Sequence, residues 1–162
     1  MRKLLILGLI LLAVPTAAYS AKAPPANGTL SIREGRGVVT LNAKGSFTGR
    51  VRGKLTVTDP TPSDAKHAIV YGASKTIFRG LKTTIYQGRN VRFRLIGARY
   101  RIRVEGKAIF LSAIGRGTGT IDGAGNTQAN IFYDGVLSLN DEPYHSLPDD
   151  FTAFRLAAPT PS

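Results

Sequence analysis

Cysteine is absent from all 162 residues. No disulfide can brace the fold, and thiol catalysis and Cys-ligated metals are excluded, so packing and hydrogen bonds must carry stability. Tryptophan is absent as well, which counts against one common kind of sugar-stacking module, and the only methionine is Met1. Acid is scarce: 10 Asp and Glu stand against 22 Lys and Arg, a formal net charge of +12. No segment carries an apolar stripe at helical spacing long enough to suggest a helix.

What the chain does have begins with a leader. Arg2 and Lys3 precede an unbroken apolar run over residues 4–14; Pro15 ends it, and Thr16, Ala17, Ala18, Tyr19, Ser20 and Ala21 follow. A charged front, an apolar middle and small residues at a cut site make a secretory signal peptide. Ala18-Tyr19-Ser20 places the cut after Ser20. The run is too short for a helix to cross about 30 Å of hydrocarbon. The expectation is an exported protein, extracellular or in the cell envelope, with no transmembrane span in its mature form. Its expected organisation is a signal peptide at 1–20, a flexible lead-in at 21–28 containing Pro24 and Pro25, one all-β domain at 29–156, and a disordered tail at 157–162.

The charge is unevenly spread. Residues 22–119 hold 19 basic and 4 acidic residues, a net +15, whereas residues 120–162 hold 1 basic and 6 acidic, a net −5. A basic surface that attracts anions is implied, with a late segment able to supply some of them internally.

From Gly28 to about Leu139 the apolar pattern has period two. Leu30 and Ile32 alternate with polar neighbours, as do Val39, Leu41 and Ala43, then Val51, Leu55 and Val57, then Val91, Phe93 and Leu95, then Tyr100, Ile102 and Val104. Glycine recurs between the runs. Such a pattern signifies an all-β protein, an antiparallel β-sandwich or roll of many short strands, with a short β-solenoid or barrel as the alternative architecture. Leu30, Ile32, Leu41, Val57, Phe93, Leu95, Ile102, Val104 and Leu111 are the expected core. The segment 59–64, with Pro60 and Pro62, is a loop, and Asp64 to His67 could add a helical turn. A faint echo at an offset of 53 relates Gly53-Lys54 to Gly106-Lys107 and Phe47 to Tyr100.

One constellation has geometry behind it. With Gly97-Ala98 at the centre of a type II′ hairpin turn, Leu95 faces Tyr100, Phe93 faces Ile102 and Val91 faces Val104. Arg94 then faces Arg101, and Arg92 faces Arg103. This register sorts apolar side chains to one side and Arg92, Arg94, Arg99, Arg101 and Arg103 to the other. Arg50, Arg52 and Lys54 form a second basic stripe. Such a face can be a solvated surface, can be neutralised by the late carboxylates, or can dock an external polyanion through paired guanidinium hydrogen bonds. The candidate partner is an anionic envelope polymer or surface.

Signals for chemistry are thin. His67 and His145 have no nucleophile elbow to serve. Asp122, Asp134, Asp141 and Glu142 could support glycoside hydrolysis as paired carboxylates, which makes a small secreted hydrolase the alternative function. A structural module that assembles by edge pairing is a third. Asp122-Gly123-Ala124-Gly125-Asn126 lacks the ligand pattern of a calcium loop and suits a capped turn. Gly115, Gly117 and Gly119 have no following helix and mark a closely packed strand rather than a nucleotide loop. Tyr71, Tyr86, Tyr100 and Tyr133 could imitate a stacking platform for single strands, but no RNA-recognition signature accompanies them, so nucleic acid is the disfavoured partner. No cofactor, metal or catalytic residue is expected.

Overall fold

A computed structural model describes residues 27–62, 68–125 and 134–158. The expected leader, most of the expected lead-in, the turn expected at residues 64–67, Tyr133 and the last four residues lie outside the described residues. What is described is all-β and antiparallel, with no helix. Its seven strands are β1 (Gly28–Thr58), β2 (Ile69–Tyr71), β3 (Lys75–Arg79), β4 (Thr83–Gly123), β5 (Val136–Leu139), β6 (His145–Ser146) and β7 (Thr152–Leu156). The alternating runs are real, but most of them are stretches of just two strands, β1 of 31 residues and β4 of 41.

These two strands coil around a common core. Phe47 lies between Leu95 and Ala113 of β4, Leu41 between Ile102 and Gly119, and Leu55 between Tyr86 and Val104. Conversely, Ala113 has Leu30 on one side and Phe47 on the other. Seventeen extended residues would reach about 57 Å, yet strands two positions apart in a sheet are separated by only about 10 Å. The chain must therefore circle back within each such interval. The result is a roll of two layers, open at its ends and not closed into a barrel; along the sheet the order is β2-β4-β1-β5-β6, with β3 and β7 also pairing β4.

Glycine makes the corners. Gly88, Gly53, Gly106, Gly37 and Gly123 face one another in a single row across the sheet, and Ala98, Gly45, Gly115 and Gly28 form a second row. Between these rows lie the outer layer, comprising residues 28–35, 45–52, 89–96 and 107–114 with β2 and β5, and the opposite layer, comprising residues 37–44, 53–58, 83–88, 98–106 and 116–123 with β3 and β7. At Gly53 and Gly106 the backbone takes φ of 153° and 142°, and a Cβ on either would collide with the facing backbone. Three residues with positive φ, Glu34, Gly97 and Ala108, sit as bulges. The register skips Gly97, since Gly45 faces Ala98 while Ser46 faces Ile96. Each extra residue restores the inward set after a bend, so that Leu95 and Ala98 both point inside.

The inward face is a single apolar cluster. All nine expected core residues are buried, joined by Val39, Ala43, Phe47, Val51, Leu55, Tyr100 and others. Phe47 and Tyr100, the pair related by the offset of 53, are in edge-to-face contact, and Gly53 and Gly106 are neighbours in the corner row. The late segment docks through part of its apolar set. Leu147 and Leu156 are buried and Phe154 packs on the core, while Tyr144 and Phe151 stay exposed.

Candidate polyanion-binding face

The hairpin centred on Gly97-Ala98 does not form. Residues on both sides of Gly97 belong to one continuous strand, β4, and Gly97 is a bulge at the corner. The reason is competition for backbone partners. A local hairpin would pair residues 91–104 with each other, whereas in the roll residues 91–104 pair with β1, and many find a strand on both edges. The inward set survives, because bulge and hairpin turn both preserve the alternation, but the partners of the arginines change. Arg92 faces Arg50 and Tyr71, and Arg94 faces Thr48 and Ile69; Arg101 faces Asn42 and Thr58, and Arg103 faces Thr40 and Thr56.

The eight basic residues singled out from the sequence therefore divide. Arg50, Arg52, Arg92 and Arg94 are exposed on the outer layer. Arg99, Arg101, Arg103 and Lys54 lie across the corners on the opposite layer. Lys54 and Arg103 are also committed to Glu105, with Nζ and Nε at 3.0 and 3.2 Å from the same carboxylate oxygen. The Lys54 hydrogen bond holds the Glu105 carboxyl below its ordinary range against the opposing effect of burial, and the Arg103 hydrogen bond adds to the lowering.

On the outer layer the sheet builds one row across the strands: Tyr71, Arg92, Arg50 and Phe110 are successive cross-strand neighbours. Arg33, opposite Val136, borders the same groove of about 410 Å³. Aromatic rings hold two of these guanidinium groups. Arg50 lies over the Phe110 ring at 4.0 Å, and Arg33 over the Tyr144 ring at 4.4 Å. The facing like charges of Arg50 and Arg92 cost on the order of 0.2–1 kcal/mol. An exposed cation–π contact contributes about 0.5–1 kcal/mol, enough to offset that repulsion. Two residues along the strands runs a hydroxyl row, Ser138, Ser31, Ser112 and Thr48, ending on Arg94. The Ser31 hydroxyl is hydrogen-bonded to the Tyr144 hydroxyl at 2.7 Å. Arg36, Arg52 and Lys107 border the adjoining hollow, where Glu34 is the one acid.

The acidic tail does not neutralise this row. Among the described residues the ion pairs are those of Glu105 and a 4.0 Å contact of Arg36 with Asp134. Asp134 is only 2% exposed, and its second oxygen accepts the Gly125 backbone N–H at 2.8 Å, which ties the end of β4 to the segment before β5. Asp141 accepts a hydrogen bond from the Thr29 hydroxyl, and Asp122, Glu142, Asp149 and Asp150 are exposed. No late carboxylate borders the groove, and no three His, Asp or Glu side chains gather among the described residues. Among the described tyrosines of the stacking platform, Tyr100 is buried, Tyr86 packs on the core, and Tyr71 alone stands in the row.

A larger hollow of about 650 Å³ lies on the opposite layer, lined by Thr40, Asn42, Arg101, Thr118 and Arg155 around Phe154. It has two cations, whereas the outer row has three on adjoining segments with more beside it. Arg33, Phe110, Tyr144 and the hydroxyl row escaped sequence reasoning. Phe110 did leave a trace, as an aromatic residue at an outward position between Ile109 and Leu111.

No protein-family model, curated protein or solved structure matches this chain.

Proposed function

We propose that this is an exported, non-catalytic β-roll that binds an anionic polymer of the cell envelope or its surroundings through the outer layer. The observation that carries the reading is the row Tyr71, Arg92, Arg50, Phe110 with Arg33, whose three guanidinium groups have no carboxylate among the described residues. Arginine suits such a site because its planar fork gives two parallel hydrogen bonds to carboxylate, sulfate or phosphate. Stacking on Phe110 and Tyr144 limits how far Arg50 and Arg33 wander, so less conformational entropy is lost on binding. Hydrolysis by the late carboxylates has no comparable support, because Asp134 is buried in a structural role and none of the others borders the groove. Edge pairing is disfavoured by the strands at the sheet margins, β2, β3, β6 and β7, which are two to five residues long and offer little template to a second chain.

The test is retention of the full mature chain on an immobilised anionic polymer across a salt series. The triple variant Arg33→Gln, Arg50→Gln, Arg92→Gln should elute at much lower salt with its fold intact by circular dichroism. Unchanged elution would overturn the reading. Export is checked separately by the mass of the secreted chain, which should begin near Ala21.

A further inference from the structure

Resting on that reading, we infer that the polymer is an acidic polysaccharide, a glycan bearing carboxylate or sulfate groups, lying across the strands of the outer layer. Direction comes from the row itself. Neighbouring strands are about 4.8 Å apart, so six segments from β2 to β5 give a track of about 24 Å. An extended anionic chain laid along it meets Arg92 and Arg50 together, then Arg33 beyond Phe110.

The aromatic side chains distinguish the class of polymer. Single-stranded nucleic acid is held by bases stacked on open rings. Here Arg50 covers one face of Phe110 and Arg33 covers one face of Tyr144, so those rings serve the guanidinium groups. Tyr71, 67% exposed, is the open ring at the end of this row. The lining of the groove also includes no Asn or Gln amide for reading base edges.

The hydroxyl row supplies the positive argument. Ser138, Ser31, Ser112 and Thr48 run parallel to the cations, about 6.7 Å away along the strands. The Ser138 hydroxyl donates to the Glu142 carbonyl and the Ser31 hydroxyl bonds that of Tyr144, so Ser112 and Thr48 are the exposed pair open to a ligand. A hydroxyl both donates and accepts. A sugar presents hydroxyls of the same kind beside its acid groups, while a polyphosphate presents acceptors alone. Cations on one line and hydroxyls on the next therefore match a polymer that carries both.

The experiment measures binding of the full mature chain at fixed ionic strength to four probes: polygalacturonate oligomers, heparin fragments, a thymidine oligonucleotide and polyphosphate. One of the two glycans should bind about tenfold more tightly, per charge, than either phosphate polymer; which one wins separates carboxylate from sulfate. The variant Thr48→Val with Ser112→Ala should lose about tenfold on that glycan, the scale of one or two hydrogen bonds, with a much smaller change on polyphosphate. Binding that follows charge density alone, or an equal loss on every probe, overturns the glycan assignment and leaves the anionic-polymer reading standing. Tightest binding to the oligonucleotide overturns it in favour of nucleic acid. No binding to any probe, with the Arg33, Arg50 and Arg92 triple variant indistinguishable from the parent, brings down the underlying reading itself.

Discussion

Gly53 and Gly106 lie face to face at a corner of the roll, both with positive φ and each against the other's backbone. Their contact lets β1 and β4 bend together from one layer to the next. Gly53→Ala should lower stability by more than about 2 kcal/mol, combining a strained φ with a collision against backbone that cannot retreat. Urea denaturation would measure it; a midpoint within error of the parent would mean that the corner has room.

The core alternation makes its own demand. Phe93 is 4% exposed and packed in the central cluster. Phe93→Ala should cost about 3–5 kcal/mol, a large share of an ordinary domain's stability. A thermal melt that fails to shift would contradict the inward assignment.

Across the outer layer, Arg50 and Arg92 are direct cross-strand neighbours. Arg92→Thr removes a like-charge pair worth on the order of 0.2–1 kcal/mol and installs a residue suited to strands. The variant should therefore be as stable as the parent or slightly more so, while eluting earlier from an anionic column. Arg101→Thr, on the other layer, should leave elution nearly unchanged. If the two variants behave alike, charge acts without regard to the row.

Glu105 gives a pH dependence. Its folded pKa is lowered, first by Lys54 and then by Arg103, so its contribution is present above the unfolded carboxylate range and fades as pH falls through the lower folded value. The pair is about a third exposed, and solvent screening limits it to about 0–1 kcal/mol. Glu105→Gln should be slightly less stable than the parent at neutral pH, and the two should converge in acid. A gap that widens on acidification would contradict the sign.

The amino-acid sequence by itself determined the strand content, the inward set and the surplus of cations. Period two and the side-chain chemistry are local properties, so Leu30, Phe93 and Val104 could be placed inside without knowing what covers them. It also marked the places where the chain would break its pattern, because glycines interrupt the alternation. What those glycines do was decided only in three dimensions. Gly97 can open a hairpin turn or sit as a bulge in an unbroken strand, and its own neighbourhood supports both. β1 tips the balance by running past β4 twice and satisfying the backbone on either side. That same choice carried Arg101 and Arg103 to one layer and left Arg92 and Arg94 on the other. It also brought Arg33 and Tyr144, more than a hundred residues apart, to the groove beside Arg50 and Phe110. Alternation says which way a side chain points from its strand; only the pairing of distant strands says which side chains share a face.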